Sequence, residues 1–194
     1  MPGVVTDLYP IREFDGLSLS IMPRPRAGDW LEEEVAAWRA AGLNVVVSLL
    51  EPSEVSELEI GLEPTLCEAN GIEFQSFPIP DRGVPSSLPS FNSFVDSLAQ
   101  RLRSGSSIGV HCRAGIGRSG LVAACILIRA GIPYSLTFPD ISKARRVKVS
   151  DMEQQEQWVH KFAGPGHLTS RWSGCVKDKV PSSYTGARAA QLNR

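Results

Sequence analysis

The stretch HCRAGIGRSG, residues 111–120, decides the fold of this 194-residue chain. The apolar run before it, residues 107–110, predicts a short buried strand, and the apolar run after it, residues 121–128, predicts a buried helix. A loop between a strand and a helix N-terminus directs backbone N–H groups and the positive end of the helix dipole at whatever the loop holds. Gly115 and Gly117 permit the close backbone approach that an anion site needs. The stretch therefore predicts a loop that binds a phosphate dianion.

Two side chains of this loop carry chemistry. The loop amides, the helix N-terminus and Arg118 are expected to hold Cys112 as a nucleophilic thiolate at neutral pH. Arg118 can grip two phosphoryl oxygens bidentately, which the point charge of a lysine cannot do. The alternative, an inert cysteine beside a helix cap, leaves Arg118 as a costly buried charge. The residues between the two are expected to bind substrate mainly through backbone N–H groups: Arg113, Ala114, Gly115, Ile116 and Gly117.

The pattern His-Cys-x5-Arg-Ser resembles the signature loop of the cysteine-dependent protein tyrosine phosphatases. Residues 4–162 resemble the dual-specificity branch of that superfamily, in particular members similar to the cyclin-dependent kinase inhibitor-associated phosphatase. The stretches RAGDWL (26–31), VVVSLL (45–50) and PIPDRGVP (78–85) also contribute to this resemblance. It implies hydrolysis of phosphate monoesters, phosphotyrosine and also phosphoserine and phosphothreonine in proteins, through a phosphocysteine intermediate. It implies no cofactor and no metal.

The acid that protonates the leaving oxygen must come from outside the loop, because the loop holds no carboxylate. Asp81 is the candidate, since it lies 31 residues before Cys112 in a Pro- and Gly-rich loop after a predicted strand. The phosphatases that the chain resembles carry their acid in such a loop. An aspartate also suits a plain turn at this position. Asp96, Asp140 and Asp151 are alternatives in helical contexts.

The resemblance implies supporting roles for residues around the loop. The Ser119 hydroxyl helps to stabilise Cys112 as a leaving thiolate, and it can also cap the helix. His111 is expected to orient the loop through its ring N–H groups. Gln155 matches a glutamine near the pocket rim that could position the hydrolytic water, although surface exposure is the simpler expectation. Arg145 is expected to pair with acidic residues near the site.

Other cysteine proteins share the Cys-x5-Arg spacing. Low-molecular-weight tyrosine phosphatases and arsenate reductases carry it near the N-terminus with the acid far downstream, and rhodanese-like domains lack an acid at this place. A phosphoinositide or other non-protein phosphatase and a catalytically weak phospho-binding module stay open as alternatives. Ala114 and Ile116, where phosphoinositide-directed relatives tend to carry lysine, favour phosphorylated proteins or peptides. Phosphate or vanadate-like oxyanions are expected to occupy the loop.

Composition limits the partners and the compartment. The net charge of −1, with 21% charged residues, gives no reason to expect a nucleic-acid or membrane partner. The four cysteines are scattered without a Cys-x-x-Cys pair, which favours a reducing compartment, the cytoplasm, over a disulfide framework or a zinc site. A redox partner for Cys112 among Cys67 and Cys125 cannot be chosen from the sequence.

The alternation of strands and helices predicts an α/β fold with a mostly parallel central sheet flanked by helices on both faces. A phosphatase domain is expected over residues 1–163. A basic tail with a net charge of +4 follows over residues 164–194. The tail is expected to be mobile or loosely docked, and a partner-docking segment anchored by Trp172 is the alternative. Predicted strands cover residues 4–5, 17–21, 44–50, 73–77 and 107–110; predicted helices cover 29–41 (opened by a capping box at Asp29), 64–70, 88–102, 121–128, 137–145 and 150–162.

Overall fold

The computed structural model describes residues 7–14, 17–150 and 152–167. In that part of the chain, five strands form one mixed sheet in the order β1-β2-β5-β3-β4. β1 pairs with β2 antiparallel, and every other neighbouring pair is parallel, so the predicted mostly parallel sheet is confirmed. The strands are β1 (Tyr9–Phe14), β2 (Leu17–Met22), β3 (Val45–Ser48), β4 (Glu73–Ser76) and β5 (Ile108–His111).

Helices cover both faces of the sheet, as predicted. Side-chain alternation along β3 separates the faces, because Val45 and Val47 join one apolar cluster and Val46 joins the other. The cluster around Val46 packs against α1 (Trp30–Ala40), α2 (Pro52–Glu57) and α3 (Glu63–Ala69). The larger cluster packs against α4 (Leu88–Arg103), α5 (Gly117–Arg129), α6 (Tyr134–Arg145) and α7 (Glu153–His167). None of the helices in the described ranges has the length and apolar character needed to cross a membrane.

The helix after the 111–120 stretch lies at the centre of the larger cluster. Residues Leu121 to Ile128 are fully or almost fully buried on every side of α5, which explains why the sequence there has no polar face. α5 contacts α4, α6, α7 and the sheet. Gly120 allows the approach of the α6–α7 connection, because a Cβ at this position would collide with the Val149 side chain. The start of α5, and with it the loop before it, is therefore held from several directions.

Several local predictions were wrong or incomplete. Asp29 adopts helical backbone angles and its side chain makes no cap hydrogen bond, so the capping box is wrong; the N–H of Leu31 is satisfied by the Gly28 carbonyl at 3.1 Å instead. β1 and α2 were not predicted. The predicted strand at residues 4–5 lies outside the described residues, as does the tail from residue 168 onward. In α7 the backbone leaves the helical region at Gly164, which agrees with the predicted helix end near residue 162.

We expect replacement of Phe91 by alanine to lower the free energy of unfolding by about 3–5 kcal/mol. The Phe91 ring is fully buried and meets Trp158 edge-on at 4.8 Å between centroids, with Phe77 and Phe162 each at 5.6 Å. Urea unfolding is the measurement. Leu88→Ala on the same helix is the control, because Leu88 is 51% exposed, and its effect should stay within about 0.5 kcal/mol.

Candidate active site

The loop of residues 112–116 lies at the carboxyl edge of the parallel strands, where ligands of α/β sheets commonly bind. β5 is a central strand, and its last residue, His111, is in register with Met22 of β2 and Ser48 of β3. The segments that follow β2, β3 and β4 therefore surround the loop. Cys112 is the first residue after β5 and is almost fully buried.

Tight backbone contacts set the shape of the loop. Gly115 has φ +68°, and a Cβ there would lie 2.5 Å from the carbonyl carbon and oxygen of Met22, so only glycine fits. Arg145 donates to the carbonyls of Ala114 at 3.1 Å and Gly115 at 3.2 Å. Because N–H and C=O of a trans peptide unit point in opposite directions, the N–H groups of residues 115 and 116 point away from Arg145, as an anion-binding loop requires. The expectation that Arg145 pairs with acidic residues is wrong, since these carbonyls are its partners.

The three cysteines of the described residues lie in different surroundings. Cys112 Sγ lies 3.5 Å from the Ser119 hydroxyl oxygen, within hydrogen-bond distance for sulfur. Burial, with a smaller contribution from Glu63, raises the pKa of the Cys67 thiol to about 12. Burial raises the pKa of Cys125 well above its ordinary value. Both of these thiols stay protonated in the core, so neither is a nucleophile at neutral pH.

Arg118 is a buried guanidinium whose two terminal nitrogens both have partners. It is 2% exposed at the first turn of α5. Nη1 lies 2.6 Å from Glu54 Oε2 and donates to the Ile79 carbonyl at 3.0 Å, while Nη2 lies 2.9 Å from Glu54 Oε1 and 3.0 Å from Asp81 Oδ1. Burial acts to lower the pKa of Arg118, but the hydrogen bond with Glu54 and the charges of Cys112, Glu54 and Asp81 outweigh it and raise the pKa. The guanidinium is therefore permanently charged and held in one orientation.

Glu54 is the site residue that the sequence analysis missed. It lies on α2, is buried, and binds Arg118 in a bidentate pair, while Oε2 also accepts the N–H of Glu51 at 3.0 Å. The hydrogen bond with Arg118 lowers the pKa of Glu54 despite an opposing effect of burial. The available signal was Glu51-Pro52-x-Glu54, a proline at the first helical turn with a glutamate two positions later. That signal predicts a helix start and does not identify the partner of Glu54.

Asp81 lies on a tight turn that faces Arg118. The N–H of Gly83 donates to the Pro80 carbonyl at 2.8 Å, and Arg82 adopts φ +57°. The Asp81 side chain is 56% exposed, so it combines contact with Arg118 and access to solvent. Of the alternative acids, Asp96 on α4 pairs with Arg129 of α5 at 3.1 Å. Asp151 lies outside the described residues.

Gln155 is fully buried, so the expectation of surface exposure is wrong. Its Nε2 donates to the Gly83 carbonyl at 2.9 Å, and its Oε1 accepts from the Ser150 hydroxyl at 3.3 Å. The residue therefore ties α7 to the turn that carries Asp81. This contact, which links residues 72 positions apart, explains the burial of a polar amide beside the site.

His111 contacts a carboxylate rather than the loop. Its Nε2 lies 2.8 Å from Glu63 Oε1, and both side chains are buried. We predicted that His111 orients the loop through its ring N–H groups. The structure does not show this for Nε2, which lies against Glu63 instead. Arg113, in contrast, projects outward and pairs with Glu57 of α2 at 2.5 Å, with both side chains largely exposed.

Comparison with known proteins identifies the family. The family Tc-R-P, described as "Polymorphic toxin system, DSP-PTPase phosphatase", matches residues 21–132, more than half of the chain. The chain belongs to this family. The matched region of this DSP-PTPase phosphatase extends from the end of β2 to just past α5 and includes Asp81, Cys112 and Arg118.

Individual relatives agree with this assignment. The chain is 30% identical over 98 residues to Cyclin-dependent kinase inhibitor 3 of Rattus norvegicus, an alignment that covers 50% of this DSP-PTPase and 46% of the rat protein. It is 29% identical over 121 residues to Protein tyrosine phosphatase PRL-1 of Leishmania major. That alignment covers 59% of this chain and 66% of the Leishmania protein. The chain thus spans about half of the rat relative, and it aligns with only 14% of Protein tyrosine phosphatase domain-containing protein 1 of Danio rerio.

Solved structures show the same fold. A kinase associated phosphatase with its catalytic site cysteine replaced by serine aligns with a TM-score of 0.68 and 21% identity, over 75% of this chain and 85% of that one. PTPMT1 in complex with PI(5)P aligns with a TM-score of 0.62 and 19% identity, over 81% of this chain and 94% of PTPMT1. The protein tyrosine phosphatase fold predicted from the 111–120 stretch is therefore confirmed.

We expect Glu54→Gln to destabilise the protein by about 3–5 kcal/mol, because it leaves the buried Arg118 without its bidentate carboxylate. Glu57→Gln on the same helix is the matched control, since it breaks an exposed pair worth at most about 1 kcal/mol. Chemical unfolding of the three proteins at pH 7 is the measurement.

The same variants predict a pH dependence. A carboxyl whose pKa is lowered by folding stabilises the fold above its unfolded pKa, and this contribution is lost as the pH falls through the lower folded pKa. The difference in unfolding free energy between wild type and Glu54→Gln should therefore be largest at neutral pH and shrink below about pH 4. A difference that is constant down to pH 3, or equal effects of both variants, would contradict the role given to the pair.

Proposed function

We propose that this chain is a protein phosphatase that hydrolyses phosphotyrosine, and also phosphoserine and phosphothreonine, through a phosphocysteine intermediate. The observation that supports it most is the convergence of Cys112, Arg118 and Asp81, with Asp81 Oδ1 3.0 Å from the guanidinium at the start of the helix that follows Cys112. A nucleophile, a charge clamp and an acid at one site are the groups that phosphoryl transfer requires.

In the first step, the Cys112 thiolate attacks phosphorus, an S–P bond forms, and the P–O bond to the leaving group breaks. Asp81 gives its proton to the departing oxygen. In the second step, water attacks the phosphocysteine, the water proton goes to the Asp81 carboxylate, and the S–P bond breaks to return the thiolate. The Ser119 hydroxyl, 3.5 Å from Sγ, stabilises that thiolate as it leaves.

The donors of Arg118 suggest how substrate binding and Asp81 are connected. A guanidinium has five N–H groups. Glu54, the Ile79 carbonyl and Asp81 account for four of them, two on each terminal nitrogen, so the Nε–H is left for another acceptor among the described residues. A phosphate held by Nε and Nη2 together has to replace Asp81 on Nη2. The displaced Asp81 is then free to act on the leaving oxygen.

The surroundings of the loop favour a phosphorylated protein or peptide as the substrate. Ala114 is exposed and Ile116 is half-buried, so the variable loop positions place no lysine against a second phosphate. Free phosphate and vanadate are proposed as loop ligands, and no nucleic-acid or membrane partner is proposed. The nucleophilic thiol also has to remain reduced, which fits the cytoplasm as the compartment. The phosphatase domain is proposed to cover residues 1–163, with the basic segment 164–194 as a tail.

We expect Cys112→Ser to abolish turnover of p-nitrophenyl phosphate and still to bind vanadate, because the loop amides and Arg118 remain. Steady-state assays in the presence of a chelator and calorimetric titration with vanadate are the measurements. Wild-type turnover by the serine variant would exclude Cys112 as the nucleophile. Activity against phosphoinositides but against no phosphopeptide would reject the proposed substrate class.

We expect Asp81→Asn to slow hydrolysis in proportion to how poor the leaving group is, since an acid neutralises charge on the departing oxygen. Activated aryl phosphates should slow least, phosphotyrosine by roughly 10²–10⁴-fold, and phosphoserine most. Vanadate should bind this variant at least as tightly as wild type, because a neutral amide competes less well than a carboxylate for Nη2 of Arg118. The kcat values for a leaving-group series test this, with Asp96→Asn as the control. An equal loss across the series would mean that Asp81 is not the acid.

A further inference from the structure

The buried face of α7 places an amide among apolar side chains. Gln155, Val159 and Ala163 follow one another at a spacing of four residues, which puts them on one side of the helix, and none is more than 2% exposed. An amide at a buried position is costly unless its polar atoms are hydrogen-bonded. The contacts that Gln155 makes outside the helix therefore explain why an amide lies there.

Both ends of the Gln155 amide have a partner, and the partners fix its direction. Nε2 donates to the Gly83 carbonyl at 2.9 Å, and Oε1 lies 3.3 Å from the Ser150 hydroxyl oxygen. A carbonyl can only accept, so the amide nitrogen has to be the group that faces Gly83. Only Arg82 separates Gly83 from Asp81, the proposed acid. The buried amide thus holds the backbone two residues from the acid.

The turn of residues 80–83, called the acid turn below, is held at its two ends and exposed between them. At the front end, Ile79 is fully buried, and its N–H donates to the Leu49 carbonyl at 3.1 Å. At the rear end, the Gly83 carbonyl accepts from Gln155. The three residues between these two anchors are exposed. The rear anchor of the acid turn is therefore supplied by α7.

The backbone of the acid turn needs such outside support. Arg82 has φ +57°, a conformation that a residue with a Cβ adopts at a cost. Nη2 of Arg82 also lies 3.5 Å from the Sδ of Met152, just before α7, but a thioether is a weak acceptor. Among the described residues, the Gln155 amide is therefore the stronger of these two side-chain contacts between the turn and the start of α7.

The rear anchor matters most while the acid acts. In the proposed mechanism, the phosphate displaces Asp81 from Nη2 of Arg118, so the carboxylate loses the ion pair that holds it. The backbone anchors of the acid turn then determine where the carboxyl lies. Since α7 packs against α5, the helix that carries Arg118, an anchor on α7 fixes the acid relative to the phosphate-binding loop.

We propose that Gln155 is a positioning residue that holds Asp81 at the leaving oxygen by fixing the Gly83 carbonyl. This role rests on the function proposed above. The hydrogen bonds of Gln155 go to Gly83 and Ser150, so the amide acts on the acid step and leaves the attack by Cys112 unaffected. Positioning of the hydrolytic water, the role considered from the sequence, requires an amide open to solvent, and Gln155 is 0% exposed.

The experiment measures kcat and KM for a phosphotyrosine peptide and for dinitrophenyl phosphate. We expect Gln155→Met, which removes the donor and keeps a long side chain, to lower kcat for the peptide about 10–100-fold. The kcat for dinitrophenyl phosphate should fall less than about threefold, because its leaving group needs no proton. Both KM values should change less than about threefold. Equal losses for the two substrates, or wild-type kcat for both, would overturn the proposal.

Gln157→Met is the matched control on the same helix. The Gln157 side chain is exposed, and its Nε2 donates to Glu153 at 2.9 Å. This substitution should leave both kcat values unchanged. If it lowered kcat for the phosphotyrosine peptide as much as Gln155→Met does, the loss would not come from the Gly83 contact and the proposal would be rejected.

A double-substitution cycle tests the route of the effect. If Gln155 acts through Asp81, then Gln155→Met in an Asp81→Asn background should cause no loss of kcat for the phosphotyrosine peptide beyond that of Asp81→Asn alone. Losses that multiply would mean that Gln155 acts elsewhere. Should Gln155→Met fail to fold, Gln155→Asn decides, because it keeps the amide and withdraws it from the Gly83 carbonyl; wild-type kcat for both substrates there would also overturn the proposal.

Cleavage by trypsin after Arg82 reads the acid turn without any turnover. Release of the rear anchor should speed cleavage of the Arg82–Gly83 bond at least about fivefold in Gln155→Met, measured from fragment masses, and leave Gln157→Met at the wild-type rate. An unchanged cleavage rate in Gln155→Met would overturn the proposal. If the wild-type protein turns over no phosphate ester, the proposed function fails, and the cleavage rates still test whether Gln155 holds the turn.

Discussion

A guanidinium that is buried at the start of a buried helix has to be neutralised where it stands, and this constraint organises the carboxyl edge of the sheet. Arg118 cannot move to solvent, because α5 is enclosed by the sheet and three helices. An unpaired charge there would cost several kcal/mol. The segments after β3 and β4 therefore supply Glu54, the Ile79 carbonyl and Asp81. Neutralising Arg118 also brings Asp81, the proposed acid, to the start of the helix that follows the 112–116 loop.

Close backbone approach is the second requirement of this arrangement. Gly115 lies against the Met22 carbonyl with φ +68°, and Gly120 lies against Val149. These contacts leave no room for side chains, so the loop is shaped by its neighbours as much as by its own residues. Arg145 then satisfies two loop carbonyls, and Gln155 fixes the turn that carries Asp81. The loop is thus held on several sides, while the Asp81 side chain stays accessible to solvent.

Charged groups that stabilise a transition state act best when they are preorganised before substrate arrives. Here the clamp is held by carboxylates, which raises the pKa of Arg118 and keeps it charged, at the expense of occupying its donors. In the proposed mechanism, a dianion in the loop binds Nε and competes with Asp81 for Nη2, so that substrate binding releases Asp81 to act as the acid.

The sequence by itself predicted the strand, the loop and the buried helix, and it indicated Cys112, Arg118 and Asp81 as candidate site residues. Each of these depends on contiguous residues, on hydrophobic period or on a resemblance carried by short motifs. The tertiary structure alone decided the partners. Glu54 meets Arg118 across 64 positions, and Gln155 meets Gly83 across 72. Such pairs depend on β5 lying between β2 and β3, an order that no local pattern encodes. The six-residue α2 is also too short to show a helical period, so neither the element nor the direction of its glutamate was visible in the sequence.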